Sequence, residues 1–227
     1  MARRRNQKKK EETIVDIVEA KDHAQDFFYN NRNLIFGALG ALLLLAGVLW
    51  YFNHNKGIKN NEAMDAMYAA QEQFKKDSFT LALSNPGGGN PGFLEIIDTY
   101  GGTKASNLAH YYSAISYLNI GKYDAALSYL KDFKARGEIS PIMKFGAMGD
   151  AYSEMDDMGN AETYYKKAIS AGDLDPLTPY YMKKLGMLLQ YQGDNEGALA
   201  MFQKLKDKYP NSSDGIGIEK YISRVGG

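Results

Sequence analysis

Asp156-Asp157, Asp173-x-Asp175 and the run Asn85-Pro-Gly-Gly-Gly-Asn-Pro-Gly92 are the groupings in this sequence whose residue types could do chemistry. Paired carboxylates can serve acid–base work or hold a hard cation, and a glycine-rich loop can cradle a phosphate. Local structure explains each of them. Asp156-Asp157 falls in a turn between helical stretches, where Asp hydrogen-bonds its own backbone. Asp173 and Asp175 precede Pro176 and a helix start, which suits capping. No Lys-Ser or Lys-Thr pair follows the glycines and no apolar strand precedes them, so 85–92 reads as a loop and not as a nucleotide site. Cysteine is absent, which removes disulfides, zinc thiolates and cysteine nucleophiles. The histidines His23, His54 and His110 stand far apart, the first two on opposite sides of an apolar run, so a histidine metal site is not expected. There is no His-Glu-x-x-His, Gly-x-Ser-x-Gly or Gly-x-Gly-x-x-Gly. The expectation is a protein that is not an enzyme, with no catalytic residue, cofactor or metal.

The element that positions everything else is the apolar run itself. Leu34 to Phe52 is nineteen residues without a charge. As a helix it extends roughly 28 Å, close to the ~30 Å hydrocarbon core of a bilayer. Trp50, Tyr51 and Phe52 close it with rings that favour the headgroup layer. The long polar stretch before it and the length of the run predict an uncleaved anchor, not a signal peptide. Six positive charges and no negative one occupy the first ten residues, and only Lys56 and Lys59 follow the run closely. That asymmetry predicts an N-terminus kept in the cytoplasm and a domain from residue 53 to 227 exported. The exported part carries 19 Lys and Arg against 21 Asp and Glu, which is not a nucleic-acid surface. The basic N-terminus instead suits topology setting and anionic lipid. Between them, Glu11 to Asn33 carries Ile14, Ile17, Val18 and Phe28 near helical spacing, either as a segment on the inner leaflet or as a plain lead-in.

Beyond the span the sequence repeats. Gly121-Lys122-Tyr123-Asp124-Ala125-Ala126, Met158-Gly159-Asn160-Ala161 and Gly193-Asp194-Asn195-Glu196-Gly197-Ala198 each read as a turn and a helix start. Twelve residues before each alanine stands another small residue: Ala114, Gly149 and Gly186. Four after it stands a large one: Leu130, Tyr165 and Phe202. Antiparallel helices cross closely only where side chains are small, and larger residues one turn away fill the core. Helix pairs are expected over residues 104–133, 141–169 and 179–209, and a degenerate first pair over 61–100, with Ala63, Met67, Ala70 and Phe74 along its first helix. A capping helix is expected over 214–224, with Ile218 and Ile222 inward.

These registers resemble the tetratricopeptide repeat, best in Leu185-Gly186, Leu189, Ala198, Phe202 and Pro210. The position that opens the pattern with tryptophan holds His110, Phe145 and Met182 instead. The resemblance implies an all-α fold, a single N-terminal transmembrane helix followed by an α-solenoid. It also implies that the first helix of each pair lines a protein-binding groove. By that placement the candidates are Tyr111, Ile115 and Asn119, then Asp150 and Glu154, then Tyr180, Lys183, Met187 and Tyr191, with Leu118, Met143 and Ser153 beside them. Tyr and Met surfaces of this kind adapt to varied apolar segments.

The layout as a whole is similar to that of bacterial inner-membrane proteins with one N-terminal span and an exported repeat domain, the family of the ancillary SecYEG translocon subunit. That similarity implies a non-enzymatic adaptor at the translocon exit. Its partners would be translocon subunits, a periplasmic chaperone, exported chains and the bilayer through Leu34–Phe52. A scaffold subunit of another envelope assembly, for the outer membrane or the cell wall, is the alternative.

Overall fold

The computed structural model describes the backbone of residues 2–226 and the side chains of residues 21, 23 and 25–226. The described residues form helices joined by turns, with no strand among them. Two units are distinguished, residues 1–56 and residues 57–227.

Helix α1, Ala2–Lys75, begins in the first unit and ends in the second. Within it, residues 25–75 are long and apolar enough to cross a membrane, and none of the apolar window is buried. Leu34, Phe36, Leu42, Leu45, Val48 and Trp50 all stand exposed. A helix of a soluble domain ordinarily hides such a face, and this exposure makes the helix a candidate membrane span. Ile14, Ile17 and Val18 of the lead-in lie outside the described side chains.

In the second unit, Ala63, Met67 and Ala70 of α1 are wholly buried in one cluster with Phe93, Ile96, Ala105 and Ala109. A short helix that the sequence did not announce, α2 (Phe79–Ser84), follows, then irregular chain over 85–92, then α3 (Phe93–Thr99). The Gln73 side-chain amide donates to the Pro86 carbonyl at 3.0 Å, tying the glycine-rich loop to α1.

Three hairpins come next: α4 (Lys104–Asn119) with α5 (Tyr123–Asp132), α6 (Ile139–Glu154) with α7 (Met158–Ser170), and α8 (Leu177–Tyr191) with α9 (Asn195–Lys208). Local chemistry starts several of these helices. The Thr103 hydroxyl accepts from the Ser106 amide, Asp157 from Asn160, and Asp194 from Gly197, each satisfying an otherwise orphaned N–H. The large residues of the repeat fill the core: Leu130, Tyr165 and Phe202 are at most 4% exposed. Burying each such side chain contributes ~1.5–3 kcal/mol. The alanines Ala114, Ala126, Ala161 and Ala198 are fully buried at the crossings. First helices also touch one another, α4 with α6 and α6 with α8, which builds a continuous face.

The capping helix departs from expectation. It is α10, Glu219–Val225, beginning five residues later than the sequence pattern placed it. Gly217 has φ +77°, a left-handed conformation that no helix can propagate through. Ile218 is nonetheless buried, and Ile222 packs partly against the cluster formed by α7, α8 and α9.

Candidate functional site

The site grows out of one repeat position. Gly149 lies beneath the Tyr165 ring so closely that a Cβ there would sit 2.5 Å from the ring's Cδ1. The same holds for Gly186 beneath the Phe202 ring. The small residue of the first helix thus makes room for the ring of the second, and the ring of Tyr165 carries a hydroxyl that must be satisfied. It donates to Asp150 Oδ1 at 2.8 Å, from the residue next to Gly149. Lys184 of α8 donates to the same oxygen at 2.7 Å, so the carboxylate ties α6, α7 and α8 together.

The electrostatics follow from this half-buried ion pair. Burial by itself pushes the Lys184 ammonium down, but the Asp150 charge and hydrogen bond, with Tyr180 beside it, outweigh that and hold it above the ordinary lysine range. Burial, then the Asp150 charge and hydrogen bond, push the Tyr165 phenol well up. Tyr181 is raised in the same sense, by burial first and by Asp150 next. Tyr111 is pushed up to about 12 by burial and then Asp150. One carboxylate thus holds the proton more firmly on an ammonium and contributes to holding it on three phenols.

Above this group opens a cleft of about 320 Å³. Helix α6 contributes Asp150, Ser153 and Glu154 to it, and α7 contributes Met158 and Tyr165. Helix α8 contributes Lys184, Met187, Leu188 and Tyr191. Met187 and Tyr191 are exposed, Tyr191 by 74%. Glu154, exposed at the C-terminal end of α6, accepts from the Tyr123 hydroxyl of α5 at 3.3 Å. Among the described residues no three His, Cys, Asp or Glu side chains converge as metal ligands. An apolar wall with a few convergent polar groups can hold a side chain of another chain.

Of the nine residues the sequence nominated, Asp150, Glu154, Met187 and Tyr191 meet in this cleft. Tyr180 is not among the lining residues but is 40% exposed, with the ammonium of the lining residue Lys184 5.0 Å over its ring. Tyr111 and Ile115 turn into the core instead. Both pack against the cluster around Ala114 and Leu130, and the Tyr111 ring lies 5.3 Å from that of Phe133. Asn119 is exposed and returns its amide to the Ile115 carbonyl, one turn back. Lys183 is not among the residues that line this cleft. It points to the cap, where it pairs with Asp214 at 3.0 Å, and its neighbour Lys184 enters the cleft. One residue is about 100° of helix rotation, so neighbouring lysines reach different partners, Lys183 the Asp214 carboxylate and Lys184 that of Asp150. Lys184, Tyr165, Met158 and Leu188 line the cleft without having been nominated. Tyr165 was visible as a core position, but its hydroxyl's partner was not.

Tetratricopeptide-repeat models match residues 108–136, 145–171 and 184–212. No curated protein matches the chain. The matched segments cover parts of the three hairpins α4–α5, α6–α7 and α8–α9, so the chain carries tetratricopeptide repeats and has an all-helical fold built on them.

Proposed function

We propose that this protein is a membrane-anchored adaptor that holds protein partners in the α6–α8 cleft at the exit of the SecYEG translocon. Leu34–Phe52 spans the inner membrane, the basic N-terminus stays in the cytoplasm, and residues 53–227 lie in the periplasm. Its partners are translocon subunits, a periplasmic chaperone and exported chains, and it performs no catalysis. The observation that carries this reading is the sequel to the apolar helix: a repeat unit whose first helices share one face with an open cleft. Tetratricopeptide repeats are protein-binding modules, and such stacks present an extended surface for partners. The charge asymmetry about the span supports the orientation.

The test is a photoreactive residue placed at Tyr191 or Tyr180 in the full-length protein in intact cells. Crosslinks to translocon subunits, a chaperone or exported polypeptides are expected. Recovery of cell-wall or outer-membrane assembly subunits in their place would give the scaffold role instead. Protease added outside spheroplasts should digest the repeat unit, and its survival would overturn the orientation.

A further inference from the structure

We infer that the α6–α8 cleft selects for a positive charge: its occupant is an extended polypeptide segment in which a large apolar side chain is followed closely by Lys or Arg. The inference rests on the adaptor reading and deepens it. The apolar wall is Met158, Met187 and Leu188, which suits an aliphatic or aromatic side chain without demanding one shape. The polar side is biased in charge. Lys184 has its charge matched by Asp150 at 2.7 Å and so offers little to an incoming carboxylate. Glu154 is exposed, and its one protein partner among the described residues is the uncharged Tyr123 hydroxyl. The charged groups lining the cleft, Asp150, Glu154 and Lys184, therefore sum to one negative charge.

Helix ends add to the bias. Glu154 is the last residue of α6 and Tyr191 the last of α8, and both line the cleft. The C-terminal end of a helix carries roughly half a negative charge and favours cations. The opposing positive end, the start of α7 at Met158, is already matched by the Asp157 carboxylate, which accepts from the Asn160 amide at 3.1 Å. A cation thus meets, at the ends of α6 and α8, a carboxylate whose hydrogen-bond partner is uncharged, while an anion meets an ammonium that is already paired. This is the reverse of a clamp for a terminal carboxylate.

Three labelled peptides separate the possibilities, identical except that a central Leu-Phe is followed by Lys, Gln or Glu. Binding to the full-length protein in mild detergent is read by fluorescence anisotropy. The Lys peptide should bind about five- to tenfold more tightly than the Glu peptide, a size set by one partly exposed ion pair gained and one repulsion avoided. Glu154→Gln should remove most of that preference, and added salt should narrow it. Glu154 is exposed at a helix end, so the variant should keep its circular dichroism. Met187→Ser, which removes apolar surface without adding charge, should weaken all three peptides. If the Glu peptide binds as tightly as the Lys peptide and Met187→Ser still weakens both, the charge inference fails and the adaptor reading stands. If none of the three binds, or binding ignores Met187→Ser, the cleft is not where this protein takes a polypeptide.

Discussion

In the hairpin α4–α5 the residue four after the crossing alanine is Leu130, clustered with Ala114; in α6–α7 it is Tyr165, seated on Gly149. The next position on the first helix differs too, Ile115 in one and Asp150 in the other. In the α8–α9 hairpin the same two positions hold Phe202 and Met187. Of the three, only α6–α7 has both a ring with a hydroxyl and a carboxylate beside it, and that is where the ion pair and the cleft's polar side arise. On α4 the outcome is opposite: Ser113 Oγ, Ser116 Oγ and His110 Nδ1 are buried with no hydrogen-bond partner. One repeat register therefore fills the core in all three hairpins and builds a hydrogen-bonded ion pair in one. That group needs two changes at facing positions of a shared frame, Asp150 on the first helix and Tyr165 on the second, together with Lys184 from the next hairpin.

The largest effect should come from emptying the ring position. Phe202→Ala leaves a hole over Gly186, a residue with no side chain to lean into it, and is expected to cost about 3–5 kcal/mol. Leu130→Ala opens a smaller hole over Ala114 and should cost less within the ~2–5 kcal/mol span of such changes. Urea unfolding of the detergent-solubilised protein, followed by circular dichroism with unchanged m-value, gives the ranking. Equal losses would mean that the glycine is not what distinguishes the hairpins.

The next effect tests the glycine directly. Gly149→Ala or Gly186→Ala forces a methyl group into a ring and should destabilise by ~1–3 kcal/mol, despite the better helix propensity of alanine. At Ala114 the alanine is native and buried, and Ala114→Gly should cost ~1 kcal/mol from backbone freedom. If Gly149→Ala proved stabilising, the close seat of Tyr165 would be wrong.

This frame was legible in the sequence because it rests on side-chain size at fixed spacing. Ala114, Gly149 and Gly186 announce themselves by being small twelve residues before another small residue. What was not legible depends on contacts between elements. That Lys184 pairs with Asp150 while Lys183 pairs with Asp214 depends on the rotation of α8 against its neighbours, with partners thirty-four and thirty-one residues away. Tyr111 and Ile115 sit at first-helix positions of the same kind as Asp150, yet Phe133 and Leu130 offer them apolar cover that a carboxylate could not use. The late start of α10 comes from a single backbone angle at Gly217, which composition cannot reveal. Helix α2 is six residues between a turn and the glycine-rich loop, too short for any periodicity to show.

The smallest effect is the most specific to the Asp150 group. Tyr165 and Tyr181 are buried, and both phenols are raised, chiefly by burial and then by Asp150. An unfolded tyrosine ionises near pH ~10. Above that pH the unfolded chain gives up protons that the folded chain keeps, so the stability these groups contribute is complete below pH ~10 and is lost as pH rises through the folded values. For Tyr111 that window closes at about 12, and for the other two it extends further. Each group adds a slope approaching ~1.4 kcal/mol per pH unit across its window. Tyr165→Phe deletes one such slope. At neutral pH it should cost ~1 kcal/mol for the lost hydrogen bond, because Lys184 still satisfies Asp150. By about pH 11 the gap between wild type and variant should have closed, since the phenol that stabilised the fold below pH ~10 then favours the unfolded chain. The corresponding change at the hairpin with no such hydroxyl, Leu130→Met, should shift stability by the same amount at every pH. A Tyr165→Phe gap that stayed constant with pH would show that the phenol does not depend on the fold for its proton, and the contrast between the two hairpins would reduce to packing alone.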